Sequence, residues 1–257
     1  MGGHVTVAMR RQKGTTMMLG TTPSTPAAPL ILDRIPFHVE IADLLPPSRS
    51  AAAGEDAEDL ARLISEAHRV GRPRALHVVS FVGERGDDWI DLDGVRFRSR
   101  VLRVNLDATY RVFPYVVTCG RELHDWAQSQ PDLLREYWAQ AIGEVVLRQA
   151  AHALTGYLEE AYALGPTARM SPGSLEDWPL EQQRALFELF RGEERRIGVE
   201  LSEHLLMQPT KTVSGISYPT DVAFESCQLC SREICPGRRM PFSPDLWATH
   251  YARATIG

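Results

Sequence analysis

The sequence predicts an α+β fold in which a twisted, mainly antiparallel sheet packs against long helices. The clearest strand signal is Asp93-Gly94, because Asp-Gly between two short apolar segments is typical of a type I′ hairpin. The clearest helix signal is an apolar stripe with a period near 3.6, which follows Pro131 and ends at Gly165-Pro166. Strands come first, long helices follow and further strands come after them. This order favours α+β over a doubly wound sheet.

The first half of the chain alternates short strand signals with two helix signals. Apolar residues recur with helical spacing over 56–70, where Gly71 and Pro73 end the pattern, and a short helix is expected around 122–128. Strands are expected at 35–41, 76–82, 89–92, 95–97, 101–106 and 112–118.

The second half begins with the longest helix signal, over 131–164. A second helix is expected from Pro179, since proline is favoured in the first turn of a helix. Two strands, 199–208 and 212–218, are expected across an intervening turn. His152, close to the apolar stripe of the long helix, is expected to be a core residue.

Composition limits the classes of partner. The chain has 257 residues, of which 44% are hydrophobic, enough to bury the core of one domain with or without an appendage. With 28 basic and 33 acidic residues the formal charge is −5, which argues against a nucleic-acid-binding surface. No apolar run approaches the roughly 20 residues needed to span a membrane. We therefore expect a cytoplasmic protein with no membrane and no nucleic-acid partner.

The chain divides by composition into three regions. Residues 1–30 are rich in Gly, Thr, Pro and Ala and predict a disordered leader, residues 31–220 form the α+β domain, and residues 221–257 form a cysteine-rich tail.

An arginine followed by a Pro-Gly pair is the first candidate site. A planar guanidinium can hold a carboxylate through two parallel hydrogen bonds. The Pro-Gly pair permits a tight turn that brings backbone amides close to a ligand. The alternative is a surface loop whose arginine pairs with an acidic residue. The candidate residues are Arg169, Met170, Pro172, Gly173 and Ser174.

This segment, with its downstream sequence, resembles a known family. Leu201-Ser202-Glu203 and Val213-Ser214-Gly215 follow it, and the passage 113–123 precedes it. Together they resemble the S-adenosylmethionine-binding activation domain of cobalamin-dependent methionine synthase, in a stand-alone form. The resemblance implies that S-adenosylmethionine binds at the Arg169 turn. It also implies a partner that carries cobalamin, either a corrinoid protein or a cobalamin-dependent methyltransferase.

One residue departs from the family pattern. The family has a tyrosine after Pro-Gly, where this chain has Ser174. Either the ligand binds with fewer contacts, another aromatic residue such as Trp178 replaces the ring, or the site has lost the ligand. A family glutamate on the long helix also contacts the ligand, and its candidates here are Glu144, Glu159 and Glu160.

The tail carries the second candidate site. Cys227, Cys230 and Cys235 form a C-x2-C-x4-C pattern followed by proline, so three thiolates can converge on one centre. A [4Fe-4S] cluster, a structural zinc ion and free cysteines all fit this spacing. The candidates for a fourth ligand are Cys119, His204 and His250.

Two functions follow from these sites. In the first, the protein reactivates a cobalamin-dependent methyltransferase by presenting S-adenosylmethionine to the corrinoid, and an iron-sulfur cluster supplies the electron. In the second, the S-adenosylmethionine site is lost and the protein is a non-catalytic iron-sulfur or zinc module for binding or electron transfer. No motif of self-contained catalytic machinery is present in the sequence.

Overall fold

The computed structural model describes residues 28–44, 55–221, 224–235 and 237–252. Its helices are α1 (Ile41–Leu44), α2 (Glu55–Val70), α3 (Arg100–Asn105), α4 (Arg121–Gln128), α5 (Leu133–Ala161) and α6 (Gln183–Phe190). Its strands are β1 (Leu30–Leu32), β2 (Arg74–His77), β3 (Ser80–Arg85), β4 (Trp89–Leu92), β5 (Val95–Arg98), β6 (Arg111–Thr118), β7 (Thr167–Met170), β8 (Glu200–Leu201), β9 (Met207–Gln208) and β10 (Thr212–Pro219).

Strand β6 is the centre of the main sheet, which holds eight of the described strands. One edge of β6 pairs with β2 and then with β3, and the other edge pairs with β10. Beyond these neighbours lie β1, the β4–β5 hairpin and β7. All the pairings are antiparallel, so the predicted α+β class with an antiparallel sheet is confirmed.

The two faces of the sheet bury two separate cores. Along β6, Val112 and Val116 face the first core, beneath the β4–β5 hairpin and α6. Phe113, Tyr115 and Val117 face the second core, beneath α2 and α5. Successive side chains of a strand point to opposite faces, so a single strand supplies both cores.

The hairpin and the long helix are as predicted. Asp93 and Gly94 have φ values of 50° and 87°, the left-handed conformations that a type I′ turn requires. Helix α5 has 29 residues, and the Asp132 side chain caps it by accepting a hydrogen bond from the backbone N–H of Arg135.

The strand predicted at 101–106 is wrong, because this segment forms α3. The Ser99 hydroxyl accepts a hydrogen bond from the backbone N–H of Leu102, and the Asp177 carboxylate accepts from those of Arg100 and Val101. These oxygens satisfy N–H groups that a helix start leaves unpaired.

The strand predicted at 35–41 is also absent, although its alternation is real. Ile35 and Val39 are buried, as the pattern indicates. The backbone N–H of His38, however, donates to Gln149 Oε1 on α5 at 2.8 Å, and Gln149 Nε2 donates to the backbone carbonyl of His38 at 2.5 Å. A helix side chain therefore takes the place of a partner strand.

Two other expected strands are each divided. The segment predicted at 76–82 is split between β2 and β3. Within 199–208 only β8 and β9 are strands, and they pair with each other as a small separate hairpin.

The tail is attached to the first core by aromatic side chains. Phe224 and Tyr251 are buried there, and the Tyr251 hydroxyl donates to Asn105 Oδ1 at 2.8 Å. Of the predicted leader, residues 1–27 lie outside the described residues. None of the described helices is both long and apolar enough to cross a membrane.

Candidate functional site: a cleft between the sheet and helix α5

A cleft of about 420 Å³ opens between helix α5 and the edge of the sheet formed by β10 and β7. Helix α5 supplies residues spaced three and four apart, which place them on one helical face. The tail closes one end. The lining residues are Tyr115, Glu144, Leu147, Arg148, Ala151, His152, Arg169, Ser171, Ser174, Val213, Ser226 and Arg239.

Arg169 reaches the cleft because of its position in β7. It pairs with Ser217 of β10, and its neighbours Ala168 and Met170 are buried in the first core. Alternation along the strand therefore directs the half-buried Arg169 to the opposite face. No Asp or Glu among the described residues forms an ion pair with it. This guanidinium is available to an anionic ligand.

Gly215 of β10 allows close packing at the floor of the cleft. A Cβ atom at this position would lie 2.4 Å from the carbonyl oxygen of Met170, 2.7 Å from Ser171 Oγ and 2.9 Å from the Tyr115 hydroxyl. Only glycine fits between these groups. Burial raises the pKa of Tyr115, and the nearby Arg169 charge offsets part of that shift. The floor of the cleft is therefore a neutral phenol next to a guanidinium.

The predicted tight turn is present, but its amides are bonded within it. The backbone N–H of Ser174 donates to the carbonyl of Ser171 at 3.1 Å, and that of Gly173, with φ of 79°, donates to the carbonyl of Trp178 at 2.7 Å. The expectation that these amides face a ligand is therefore wrong. The turn instead fixes the end of β7.

Only two of the five candidate residues at the turn line the cleft. Arg169 and Ser174 do so. Met170 and Pro172 are buried, and Gly173 borders a neighbouring pocket beside the tail.

The structure separates the other candidates suggested by the family pattern. Glu144 lines the cleft, whereas Glu159 accepts a hydrogen bond from the Thr167 hydroxyl at 3.2 Å outside it. Glu160 is absent from the lining. Trp178 is fully buried against Phe97 and cannot replace the family tyrosine. Among the described lining residues, Tyr115 supplies the phenol ring in the cleft.

Several lining residues were missed by sequence reasoning. The prediction that His152 is a core residue is wrong, because its side chain is exposed and lines the cleft. Spacing offered a signal, since Glu144, Arg148 and His152 lie four residues apart on α5. No such signal existed for Tyr115 and Arg239, which reach the cleft only through strand pairing and tail packing.

The three tail cysteines border one pocket, which adjoins the cleft. Cys227, Cys230 and Cys235 line it together with Ser226 and Arg239, two residues that also line the cleft. The Cys227 sulfur accepts a hydrogen bond from the backbone N–H of Arg239 at 3.5 Å, and this bond lowers the pKa of the thiol.

Cys119 lies elsewhere, in the second core. It is fully buried, and burial raises the pKa of its thiol to about 12. Its role as a fourth ligand gains no support, because its side chain is enclosed by core residues. The alternatives His204 and His250 are both exposed. Among the described residues, no group of three or more His, Cys, Asp or Glu side chains is placed to hold a metal ion.

Comparisons with known proteins reveal a structural similarity but no match to a family model or a curated protein. No family model matches the chain, and no curated protein matches it. The chain is similar to the solved structure of the MetH reactivation domain bound to AdoHcy, with 16% sequence identity and a TM-score of 0.48. The match covers 68% of this chain and 70% of that one. The ligand and the activity are therefore inferred from the geometry of the cleft.

Proposed function

We propose that the cleft binds the amino-acid end of an S-adenosylmethionine-type ligand and that the protein presents this ligand to a corrinoid partner. The partner would be a cobalamin-dependent methyltransferase of the methionine synthase type, and the reaction its reductive reactivation. The observation that carries the proposal is Arg169, a half-buried guanidinium in a cleft with no carboxylate partner among the described residues. Such a group matches the α-carboxylate of an amino acid in shape and charge.

The rest of the lining suits the remainder of such a ligand. Glu144 is a carboxylate on the opposite wall, and its contact with Lys211 is long at 3.7 Å, so it can accept the α-ammonium group. Leu147, Ala151 and Val213 provide apolar surface for the thioether and the nucleoside. Tyr115 supplies an aromatic ring in place of the one that Ser174 lacks.

In this proposal the protein binds and orients, and the reacting groups belong to the ligand and the partner. Reactivation of an oxidised corrinoid requires one electron at the cobalt and then transfer of the methyl group from the sulfonium. Arg169 and Glu144 hold the amino-acid end, so that the methyl-bearing sulfur has a fixed position relative to the mouth of the cleft.

Binding of AdoHcy, measured by isothermal titration calorimetry, tests the ligand. Arg169→Ala should weaken binding by about 2 kcal/mol, as expected for the loss of a charge-assisted pair. Arg195→Ala is the matched control, because Arg195 is exposed and lies outside the cleft. Equal affinities for Arg169→Ala and the wild type would contradict the assignment.

An assay of methyl transfer tests the role. The protein is mixed with a cobalamin-dependent methyltransferase in its oxidised form, a chemical reductant and S-adenosylmethionine. We expect the spectrum of methylcobalamin to develop faster with the wild type than with Arg169→Ala. An identical rate without the protein would reject reactivation and leave ligand binding as a separate result.

A metal-binding module is the second candidate function. It is favoured by the position of Cys227, Cys230 and Cys235 around one pocket, where the Arg238 side chain donates to the carbonyls of Cys227 and Cys230. The loop would have to contract for the three sulfurs to share an ion. Iron and zinc are measured in anaerobically purified protein, with Cys230→Ala as the comparison. An iron-sulfur cluster could supply the electron, and one zinc ion per chain would indicate a structural site. Protein that contains neither iron nor zinc would reject this function.

A further inference from the structure

Helix α5 presents a second basic group to the cleft. Arg148 and His152 lie one turn apart on the face that lines it, and both side chains are exposed. Residues four apart on a helix have Cβ atoms about 5–6 Å from each other, so the two side chains can reach one ligand group. Neither side chain forms a hydrogen bond or an ion pair with another described residue.

The charges of the cleft leave Arg148 without a counterion. Arg239 pairs with Glu225 at 2.7 Å, so that guanidinium is neutralised within the tail. Arg169 is occupied by the α-carboxylate in the proposed complex. Glu144 is placed between the α-ammonium group and Lys211. S-adenosylmethionine brings a single anionic group, so a bound molecule of it would leave Arg148 uncompensated.

We propose that Arg148 and His152 form a second anion subsite, separate from the Arg169 subsite, that takes a phosphate-type oxyanion. The planar guanidinium can bind two oxygens of such a group, and a ring N–H of His152 can donate to a third. The oxyanion is either free phosphate or a phosphate group carried by a larger adenosine-containing ligand. The charge argument rests on the proposed function, which assigns Arg169 and Glu144 to the amino-acid end of the ligand, whereas phosphate binding at Arg148 and His152 needs no ligand at Arg169.

Calorimetry with inorganic phosphate tests the subsite directly. The wild type and Arg195→Ala should bind phosphate equally, and Arg148→Ala should weaken that binding at least tenfold. His152→Ala should weaken it less, because a single donor is lost. No measurable phosphate binding by the wild type, or unchanged binding by Arg148→Ala, would overturn the proposal.

Two further binding experiments test where the subsite lies and where the oxyanion comes from. Phosphate affinity should be retained in Arg169→Ala, and AdoHcy affinity should be retained in Arg148→Ala. Loss of binding of both ligands in both variants would mean one shared site and would overturn the separate subsite.

The source of the oxyanion is tested with adenosine 5′-monophosphate. Tighter binding of this nucleotide than of phosphate, lost in Arg148→Ala, would assign the oxyanion to a nucleotide-type ligand. Equal affinity would assign it to free phosphate. A failure of AdoHcy binding alone would reject the proposed function and leave this subsite intact.

Discussion

The cleft and the tail pocket adjoin each other, yet they are built in different ways. Most lining residues of the cleft are fixed by strand register in β6, β7 and β10 and by helical spacing in α5. The tail pocket is lined mostly by loop and turn residues. The Arg238 side chain donates hydrogen bonds to backbone carbonyls there, and short turns bring the cysteines together. Of the described tail residues, Phe224, Ser226 and Tyr251 are buried.

The difference indicates how each site can respond to a ligand. Residues held by a sheet and a long helix have little freedom, so the cleft is suited to a ligand of defined shape. A loop with few buried side chains opens locally at low cost in free energy, so the cysteines can rearrange around an ion. Arg239 connects the two regions, because it lines both the cleft and the tail pocket.

Thiol reactivity should show the largest contrast. Burial raises the pKa of Cys119 to about 12, whereas backbone N–H donors lower that of Cys227. At pH 8 iodoacetamide should therefore modify Cys227 about a thousandfold faster than Cys119, since the thiolate is the reactive form. Peptide mass spectrometry measures both rates in the native protein. Urea-unfolded protein is the control, in which the two rates should converge, and rapid native labelling of Cys119 would contradict its burial.

Two glycine-to-alanine variants test the packing at the floor of the cleft. Gly215→Ala places a methyl group against the Met170 carbonyl and should lower the free energy of unfolding by about 3 kcal/mol. Gly156→Ala is the matched control, because no described residue beyond the helix backbone around it lies within 4 Å of a Cβ atom there, and alanine favours a helix by roughly 0.5–1 kcal/mol. Urea denaturation of both variants measures the contrast. Equal stability would mean that Gly215 is not needed for close packing.

Acid should weaken the second core through His77. Burial among Phe113, Tyr157 and Tyr162 lowers the pKa of this histidine to about 4. The neutral ring is favoured in the folded state, so its stabilising effect is present above pH 6.5 and is lost as the pH falls towards 4. We expect a loss of roughly 2–3 kcal/mol over this window.

Denaturant unfolding of His77→Phe at several pH values tests this origin of the acid sensitivity. The variant should lose less stability between pH 6.5 and 4 than the wild type. His204→Gln is the control, because its exposed side chain should leave the pH dependence unchanged. An undiminished loss in His77→Phe would assign the effect to other groups.

Sequence alone predicted the elements that rest on local patterns. The β4–β5 hairpin follows from Asp93-Gly94, and α5 from its apolar period. Failures occurred where a distant residue decides the backbone, as when Asp177 helps to start α3 or when Gln149 pairs with His38. Such contacts join residues 76 or more positions apart, and no local pattern indicates them.

The candidate site was predictable to a similar extent. Arg169 and its turn were found from the sequence, since their chemistry lies within a few residues. Tyr115 reaches Arg169 through β10, which pairs with both β6 and β7, so its position depends on the register of three strands. Arg239 depends on how the tail packs.

The smallest of these effects tests the central claim most directly: Arg169 holds the carboxylate of the ligand. Affinities of the wild type and Arg169→Ala are measured for two ligands, AdoHcy and 5′-methylthioadenosine, which lacks the amino-acid group. Such a cycle isolates the contact between guanidinium and carboxylate. We predict that Arg169→Ala weakens the binding of AdoHcy by about 2 kcal/mol, roughly 30-fold, and leaves the affinity for 5′-methylthioadenosine unchanged. An equal loss of affinity for both ligands, or no loss of affinity for AdoHcy, would contradict the assignment of Arg169 to the carboxylate.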